Sequence, residues 1–305
     1  GEGGSNDGHQ NIGVVVEGTD GRVETSVGTI NLIGTGGKST GYQNSGIAIW
    51  NSGSIRSTDG LVNLDGTGVG KDDSHLNHGV LIVDSSIRTS GIGDVNIYGK
   101  AGVTSGNYND GVLVKGPDSQ LLTQNGNINV VGHGGGSGLD SDGNHGIVMR
   151  DESQIASTGL GNISFESHGG TSLGNYNVGL VIRTDASVTS NEGRIDITSF
   201  AGTGTSGHGI AIAESTGGLI ASTAGDINIL TDAFAITPAG SITSGNNSSI
   251  SIAPLTQHSR VLLGDDTSRQ GAWLQLSDSE LDQFNTPNLT IGNSTSGEII
   301  VANNI

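Results

Sequence analysis

Asn109-Asp110-Gly111-Val112-Leu113-Val114 is one copy of a segment that returns down the chain at near-constant spacing. Other copies begin at Asn11, Asn44, Asn77, Asn144 and Asn177, each with a glycine two residues on. Gly207-His208-Gly209 is a seventh copy that keeps the second glycine. Successive copies lie 33, 33, 32, 35, 33 and 30 residues apart. A fixed period of this size marks one supersecondary unit stacked on copies of itself. Such an array presents long lateral surfaces, because each repeat contacts only its neighbours.

Outward from the Asn-x-Gly segment, three apolar patterns recur. The first is an alternating pair just after the glycine, as in Val80/Ile82, Val112/Val114 and Ile147/Met149. The second is a lone apolar residue among Ser, Thr and Arg, as in Ile55, Ile87, Leu121 and Ile155. The third is another alternating pair, as in Val62/Leu64, Ile128/Val130 and Ile163/Phe165. A spacing of two puts both members of a pair on one face of a strand. Three short strands joined by glycine-rich corners cannot pair within their own coil. They pair with the same strand of the next coil, about 4.8 Å away. The expectation is an all-β chain, a parallel β-helix, right-handed because about 98% of parallel crossovers are. Some five apolar side chains per coil then fill a narrow core. The Asn column (Asn11, Asn44, Asn77, Asn109, Asn144, Asn177) reads as a structural ladder at one corner, its amides bonding along the stack or to corner backbone.

Composition agrees with a folded array. Ile, Leu, Val and Phe make 76 of 305 residues, above the roughly 20% associated with disorder. Cysteine is absent, so disulfide and thiol chemistry are excluded. A net charge of -18 disfavours nucleic acid and anionic membranes as partners. No run of about 20 apolar residues is present, so no membrane insertion is expected. The opening Gly1–Gln10 stretch resembles the loop at 34–43, which suggests a segment of a longer protein.

Residues 1–252 read as regular repeats, the last coil (Phe234/Ile236, Ile242, Ile250/Ile252) lacking the loop. Residues 253–305 read as an irregular continuation of about two coils with a helical excursion near Ser277–Phe284, about ten coils in all. The tail carries Ile252-Ala-Pro-Leu-Thr256, Arg260-Val-Leu-Leu-Gly-Asp265, Leu276-Ser-Asp-Ser-Glu-Leu-Asp-Gln-Phe284, Leu289-Thr-Ile-Gly-Asn293 and Gly297-Glu-Ile-Ile-Val301. These segments, with the upstream Asn-x-Gly-Ile-x-Val rungs, resemble filamentous-haemagglutinin-like exoproteins of Gram-negative bacteria or cyanobacteria. That resemblance implies a β-helical protein at the cell surface or secreted, acting in adhesion or as a filament. It transfers no functional residue.

Candidate sites are few. Glycine-rich loops of roughly ten residues all leave one corner, between third and first strands, and predict a one-sided flexible fringe that tolerates change. Tyr42, Tyr108 and Tyr176 lie just before the Asn anchors. Loops on a rigid scaffold are where function concentrates, so this fringe is a candidate contact for a glycan or a protein on a surface. Three residues before the lone second-strand residue stand Asp20, Ser52, Asp84, Asp118, Glu152 and Asp185. Stacked in register, Asp84, Asp118, Glu152 and Asp185 would form a candidate cation strip, against the simpler reading of turn-capping side chains. Asp140, Asp142 and Asn144 alternate like the start of a calcium loop, but the glycine is displaced and Asp151 stands where Glu is required. Calcium binding is therefore expected to be weak at most, and no other cofactor is implied. His78, His145 and His208 share a repeat position on alternate coils, too far apart for one metal.

Lysine and arginine look too scattered for a polysaccharide-lyase cluster. The reading is a structural and adhesive segment of a large extracellular or cell-surface exoprotein without catalysis, binding a glycan, a protein or further copies of itself end to end. The alternative is a carbohydrate-active β-helix enzyme, which a loop-walled cleft with converging carboxylates would distinguish.

Overall fold

The computed structural model describes residues 1–212, 216–264, 273–302 and 305. The alternating apolar pairs form strands, and through residue 253 each strand pairs in parallel with its counterpart in the neighbouring coil. The first sheet holds eight strands, from Val14–Glu17 to Phe234–Ile236. The second runs through nine, from Arg22–Thr25 to Phe284–Asn285, and the third through nine, from Ile30–Thr35 to Leu289–Ile291. The chain is thus an all-β parallel solenoid, with the short helix Asp278–Leu281 as its helical element among the described residues.

Register follows the hydrophobic pattern. Val95, Ile128, Ile163 and Ile195 stand opposite one another in the third sheet, each 0% exposed. Ile87, Leu121, Ile155 and Val188 do the same in the second. In the first sheet both residues of the pairs Val112/Val114 and Ile147/Met149 are also wholly buried. Narrow ladders of stacked aliphatic side chains therefore form one continuous core, as the five-per-coil pattern predicts.

The tail departs from the expected ten coils. Among the described residues, eight coils have all three strands, and a ninth has strands in the second and third sheets. Phe284 and Leu289 extend those two sheets by pairing with Ile242 and Ile250. Arg260–Leu263, Trp273–Leu276 and Ile299–Val301 instead form a separate three-stranded parallel sheet. The helix between them is started by a capping box. The Ser277 side chain accepts from the Glu280 N–H, and the Glu280 carboxylate accepts from the Ser277 N–H.

The loops are not a loose fringe. Their backbones bond from coil to coil: the Gly70 N–H to the Gly37 carbonyl, that of Gly102 to Asn77, that of Gly136 to Gly102 and that of Thr203 to Gly170. Hydroxyls inside them form a ladder of their own. Ser39, Ser74, Thr104, Ser141 and Ser172 are at most 3% exposed. Ser172 donates to the Ser141 carbonyl, and Thr104 to that of Ser74, each at 2.6 Å. The loops thus add an ordered polar layer to one corner of the solenoid.

Candidate functional site

The Asn column sits between this polar layer and the first sheet. Asn44, Asn77, Asn109, Asn144 and Asn177 are 0% exposed and Asn11 8%. Each side-chain Nδ2 donates to the Oδ1 of the next Asn: 3.0 Å from Asn11 and Asn44, 2.9 Å from Asn77, 3.1 Å from Asn109 and Asn144. From Asn44 to Asn144 the backbone N–H bonds the same oxygen. The second Nδ2 hydrogen reaches back to a loop carbonyl, such as Gly41 or Gly106 at 2.7 Å. The ladder is structural, and its job is local. It clamps the preceding residue in the left-handed region, where Gln10, Gln43, Leu76, Tyr108 and Tyr176 have φ between 57° and 60°. That conformation costs non-glycine residues about 1–2 kcal/mol and persists only where the surroundings impose it. In the fifth copy Gly143 takes the place, with φ 65°.

These clamped residues form one wall of a trough along the first sheet. Its floor is the outward face of that sheet, which is apolar and covered: Ala48 is 0% exposed, Leu81 3%, Leu113 4%, Val148 2% and Val181 5%. The opposite wall is the last position of the strand, occupied in successive coils by Glu17, Trp50, Val83, Lys115, Arg150 and then Arg183. Three cavities of about 290, 450 and 460 Å³ lie along this trough. They share Leu113 and Arg150 on one side and Tyr108, His145 and Arg183 on the other, so they are stretches of one groove.

Lys115 and Arg150 are in Cα register, and Arg183 directly follows Ile182, the partner of Met149. Three cations thus stand on three consecutive coils. Asp151 lies 3.9 Å from Lys115 and 4.0 Å from Arg150 and partly compensates both. Sequence reading missed this ladder by treating basic residues as scattered. The signal is the fourth residue after the repeat glycine in three successive copies: Gly111 to Lys115, Gly146 to Arg150, Gly179 to Arg183. A second signal was the apolar middle residue of each first-sheet strand, where a solvated face would carry polar side chains.

Lining the trough is a polar trio at the position after the Asn anchor, with His78 and Asp110 buried and His145 half-buried. His78 is 2% exposed and Asp110 4%, and His145 follows one coil on. The Asp110 N–H donates to His78 Nδ1 at 3.4 Å, and the Val178 N–H to His145 Nδ1 at 3.2 Å. Asp110 Oδ1 accepts from the His145 N–H at 3.1 Å, and Oδ2 faces His78 Nδ1 at 3.5 Å. Burial pushes both histidines down to about 3, helped by the Arg150 charge and, for His145, Arg183 ahead of it. Burial likewise pushes Asp110 up to about 7, against the His145 N–H and the two guanidinium charges. The trio is coherent when all three are neutral, since each Nδ1 already accepts a backbone hydrogen. Asp110 thus stands between the two histidines, its carboxyl group facing the His78 ring on one side and holding the His145 backbone N–H on the other.

The four residues of the candidate cation strip are not all in register: Glu152 and Asp185 stand level on adjacent coils, but Asp84 does not join them. Corner length changes between coils: Val83 pairs with Lys115, but Ser86 pairs with Gln120. Two extra residues separate these pairs in the later coil, so Asp84 lies level with Gly116, its carboxylate over that glycine's Cα, and Asp118 is exposed beyond it. Gly116 accepts this approach because it has no Cβ, and its φ is 101°. Asp84, Glu152 and Asp185 adopt left-handed corner conformations, with φ 46°, 63° and 59°, which acidic and amide side chains tolerate well. Asp140 is exposed. Asp142 Oδ1 accepts from the Asn175 N–H at 2.5 Å in another loop ladder, and the Asp142 N–H donates to Asn107. Among the described residues no three His, Asp or Glu side chains form a group able to hold a metal. Of the tyrosines, Tyr108 and Tyr176 line the trough, whereas Tyr42 belongs to the ladder that includes His9 and His75. No helix among the described residues is long and apolar enough to cross a membrane.

Compared with family models, curated proteins and solved structures, the chain finds no match, so its own residues carry the functional argument.

Proposed function

We propose that the chain is a structural and adhesive segment of a large bacterial cell-surface or secreted exoprotein, filamentous-haemagglutinin-like in kind, that holds a surface glycan along one lateral face of a right-handed solenoid. The observation that carries this reading is the trough, an apolar floor shielded by two walls and running across successive coils. Rigid ladders on both sides preorganise it, which lowers the entropic cost of binding an extended ligand. Among the described residues, the carboxyl groups lining it, Glu17, Asp110 and Asp142, lie in different stretches, and two of them are engaged by backbone N–H groups. That arrangement favours holding over hydrolysis, where two carboxyl groups flank one bond.

The test is gel retardation of the purified chain in a panel of polysaccharides, with the same polymers assayed for new chain ends. Retardation without cleavage supports adhesion. Cleavage that Asp110→Asn abolishes would make the protein a carbohydrate-active enzyme. Absence of retardation by every polymer would refute glycan holding and leave end-to-end self-association, seen as filaments by electron microscopy, as the surviving form of a structural role.

A further inference from the structure

We infer that the stretch of the trough between Tyr108 and Tyr176 is a stacking subsite for the pyranose rings of a neutral polysaccharide, and that Gly143 sets the Tyr108 ring in place for it. This rests on the glycan-holding reading above and adds the ligand's chemistry to it. In successive copies the clamped position before the Asn anchor holds Gln10, Gln43, Leu76, Tyr108, Gly143 and Tyr176. The backbone does not demand a glycine there, because the other five take the same left-handed conformation with side chains. What demands it is the neighbouring ring: a Cβ on Gly143 would stand 2.8 Å from both Cδ1 and Cε1 of Tyr108. The Tyr108 ring therefore reaches across to the next coil, over the gap that Gly143 leaves. Tyr108 is 55% and Tyr176 62% exposed, and both border a floor that includes Val178 and Val181, at 3% and 5%. Two water-facing aromatic rings thus flank one apolar floor.

The chemistry of the cavity chooses the ligand. An aromatic face is electron-rich, and it attracts the C–H groups that cover one face of a pyranose ring. One coil spacing, about 4.8 Å, is close to the advance of one sugar along an extended chain, so rings on neighbouring coils meet neighbouring sugars. Both hydrogen-bonding roles stand beside the rings. The Asp142 carboxylate accepts from the Asn175 N–H at 2.5 Å and keeps further lone pairs for a hydroxyl. His145 Nδ1 accepts from the Val178 N–H at 3.2 Å, so the neutral ring donates from Nε2. Charge does not select an anion here. Arg183, the cation of this stretch, is engaged within the protein, and Asp142 stands in the same cavity. A net charge of -18 repels every polyanion, acidic glycans and nucleic acids alike. A proline-rich segment also docks on aromatic side chains. It brings carbonyl acceptors and no N–H from its prolines, which leaves Asp142 facing acceptors, whereas each sugar hydroxyl both donates and accepts.

The experiment measures affinity by gel retardation and calorimetry for a neutral glucan, a neutral galactomannan, a uronate polymer and polyproline, at low and high salt. The variants are Tyr108→Ala, Tyr108→Phe, Tyr176→Ala, Gly143→Asn, the double variant Tyr108→Ala/Gly143→Asn, and Tyr42→Ala as a control on a tyrosine of another ladder. Asn tolerates the left-handed backbone, so Gly143→Asn adds a Cβ against the Tyr108 ring with little other strain. Circular dichroism and melting confirm that each variant is folded. The expected result is binding of at least one neutral polysaccharide, little changed by salt and by Tyr42→Ala. Tyr108→Ala and Tyr176→Ala each weaken it about tenfold, and Tyr108→Phe keeps it within about twofold, since the ring is retained. Gly143→Asn weakens it too, but adds nothing in the Tyr108→Ala background, because the two residues act through one ring. An equal further loss in that background overturns the part given to Gly143. Neutral-polymer binding untouched by the tyrosine variants overturns the stacking subsite while leaving glycan holding intact. Tighter, salt-sensitive binding of the uronate polymer overturns the neutral class. Polyproline binding as tight as the best polysaccharide overturns the glycan class. Binding of none of the polysaccharides overturns the inference together with the reading it rests on.

Discussion

Replacing Asn109 by Ala tests whether the amide ladder holds the coils in place. The substitution removes four hydrogen bonds. Asn109 Oδ1 no longer accepts from the Asn77 N–H at 3.0 Å or from Asn77 Nδ2 at 2.9 Å. Nδ2 no longer donates to the Gly106 carbonyl at 2.7 Å or to Asn144 Oδ1 at 3.1 Å. Asn77 Nδ2 keeps the Ser74 carbonyl, and Asn144 Oδ1 keeps the Asn109 N–H. The buried Asn77 N–H is left with no acceptor. At about 1 kcal/mol net per bond, and ~1–3 kcal/mol for a buried donor left unpaired, the cost is roughly 3–6 kcal/mol. Asn11→Ala at the first coil is the internal comparison. Asn11 makes bonds to Gly8 at 2.7 Å and Asn44 at 3.0 Å, and its loss leaves no buried donor unpaired, so about 1–2 kcal/mol is expected. Asn109→Asp is the sharper variant, since it keeps shape but turns a donor into an acceptor facing two other acceptors. It should cost at least as much as Asn109→Ala. The assay is urea unfolding followed by circular dichroism, with hydrogen exchange of the Asn77 amide as a local readout, because a stacked array need not unfold in one step. Similar losses for Asn109→Asp and Asn11→Ala would refute the ladder's direction and its load.

Two further outcomes are expected. Ser141→Val removes a hydroxyl that donates to the Gly106 carbonyl and accepts from Asn144 Nδ2, costing about 2–3 kcal/mol in a melt. Leu139→Ser, two residues away at an exposed position, should stay within about 0.5 kcal/mol; equal effects would mean the loop layer is not ordered. The polar trio makes stability pH-dependent in opposing senses. His78 and His145, ordinarily at 6.5, are lowered to about 3, so between those values the unfolded chain binds protons the folded chain refuses, and stability falls as pH drops. Asp110, ordinarily at 3.8, is raised to about 7, so over that window the folded chain keeps a proton the unfolded chain has lost, and its contribution falls as pH rises. Asp110→Asn deletes the opposing contribution. Urea midpoints at pH 5 and pH 7 should then show a steeper acid-side loss in the variant by up to one proton, about 1.4 kcal/mol per pH unit. Parallel profiles would mean that Asp110 titrates alike in both states.

The scaffold was legible from the chain because its core obeys a period of two within strands and a near-constant period between coils. Ile128 and Ile163 had to fall opposite one another once those two periods were combined. The Asn ladder was legible for the same reason. Corners and loops were not, because they change length from coil to coil. The two residues that separate Asp84 from register with Asp118 are invisible to a pattern counted backward from Leu121. Loops rich in Gly and Ser looked loose because their order comes from hydroxyls and carbonyls one period away, as with Ser172 and Ser141. Lys115, Arg150 and Arg183 were overlooked by counting basic residues along the chain rather than down the aligned copies. Their meaning depends on what stands across the trough, where Tyr108 arrives only because its backbone is forced into the left-handed region.

The amide column has an arrow. Every ladder amide from Asn11 to Asn144 offers its N–H to the coil that follows, and Asn177 ends the run by donating to the Thr203 carbonyl at 3.0 Å. Group dipoles aligned in this way reinforce one another, each bond polarising the next. Their positive sense points toward the carboxyl-terminal coils, opposite to that of an α-helix, whose N–H groups face its amino terminus. A half-built solenoid therefore presents waiting donors at its growing end when it is assembled from the amino terminus. The next coil docks by supplying a single carbonyl oxygen that satisfies two of them at once. Assembled from the other end, the same coil would have to bring both donors to an oxygen already in place, fixing backbone and side chain together. The column thus favours winding in the order of synthesis.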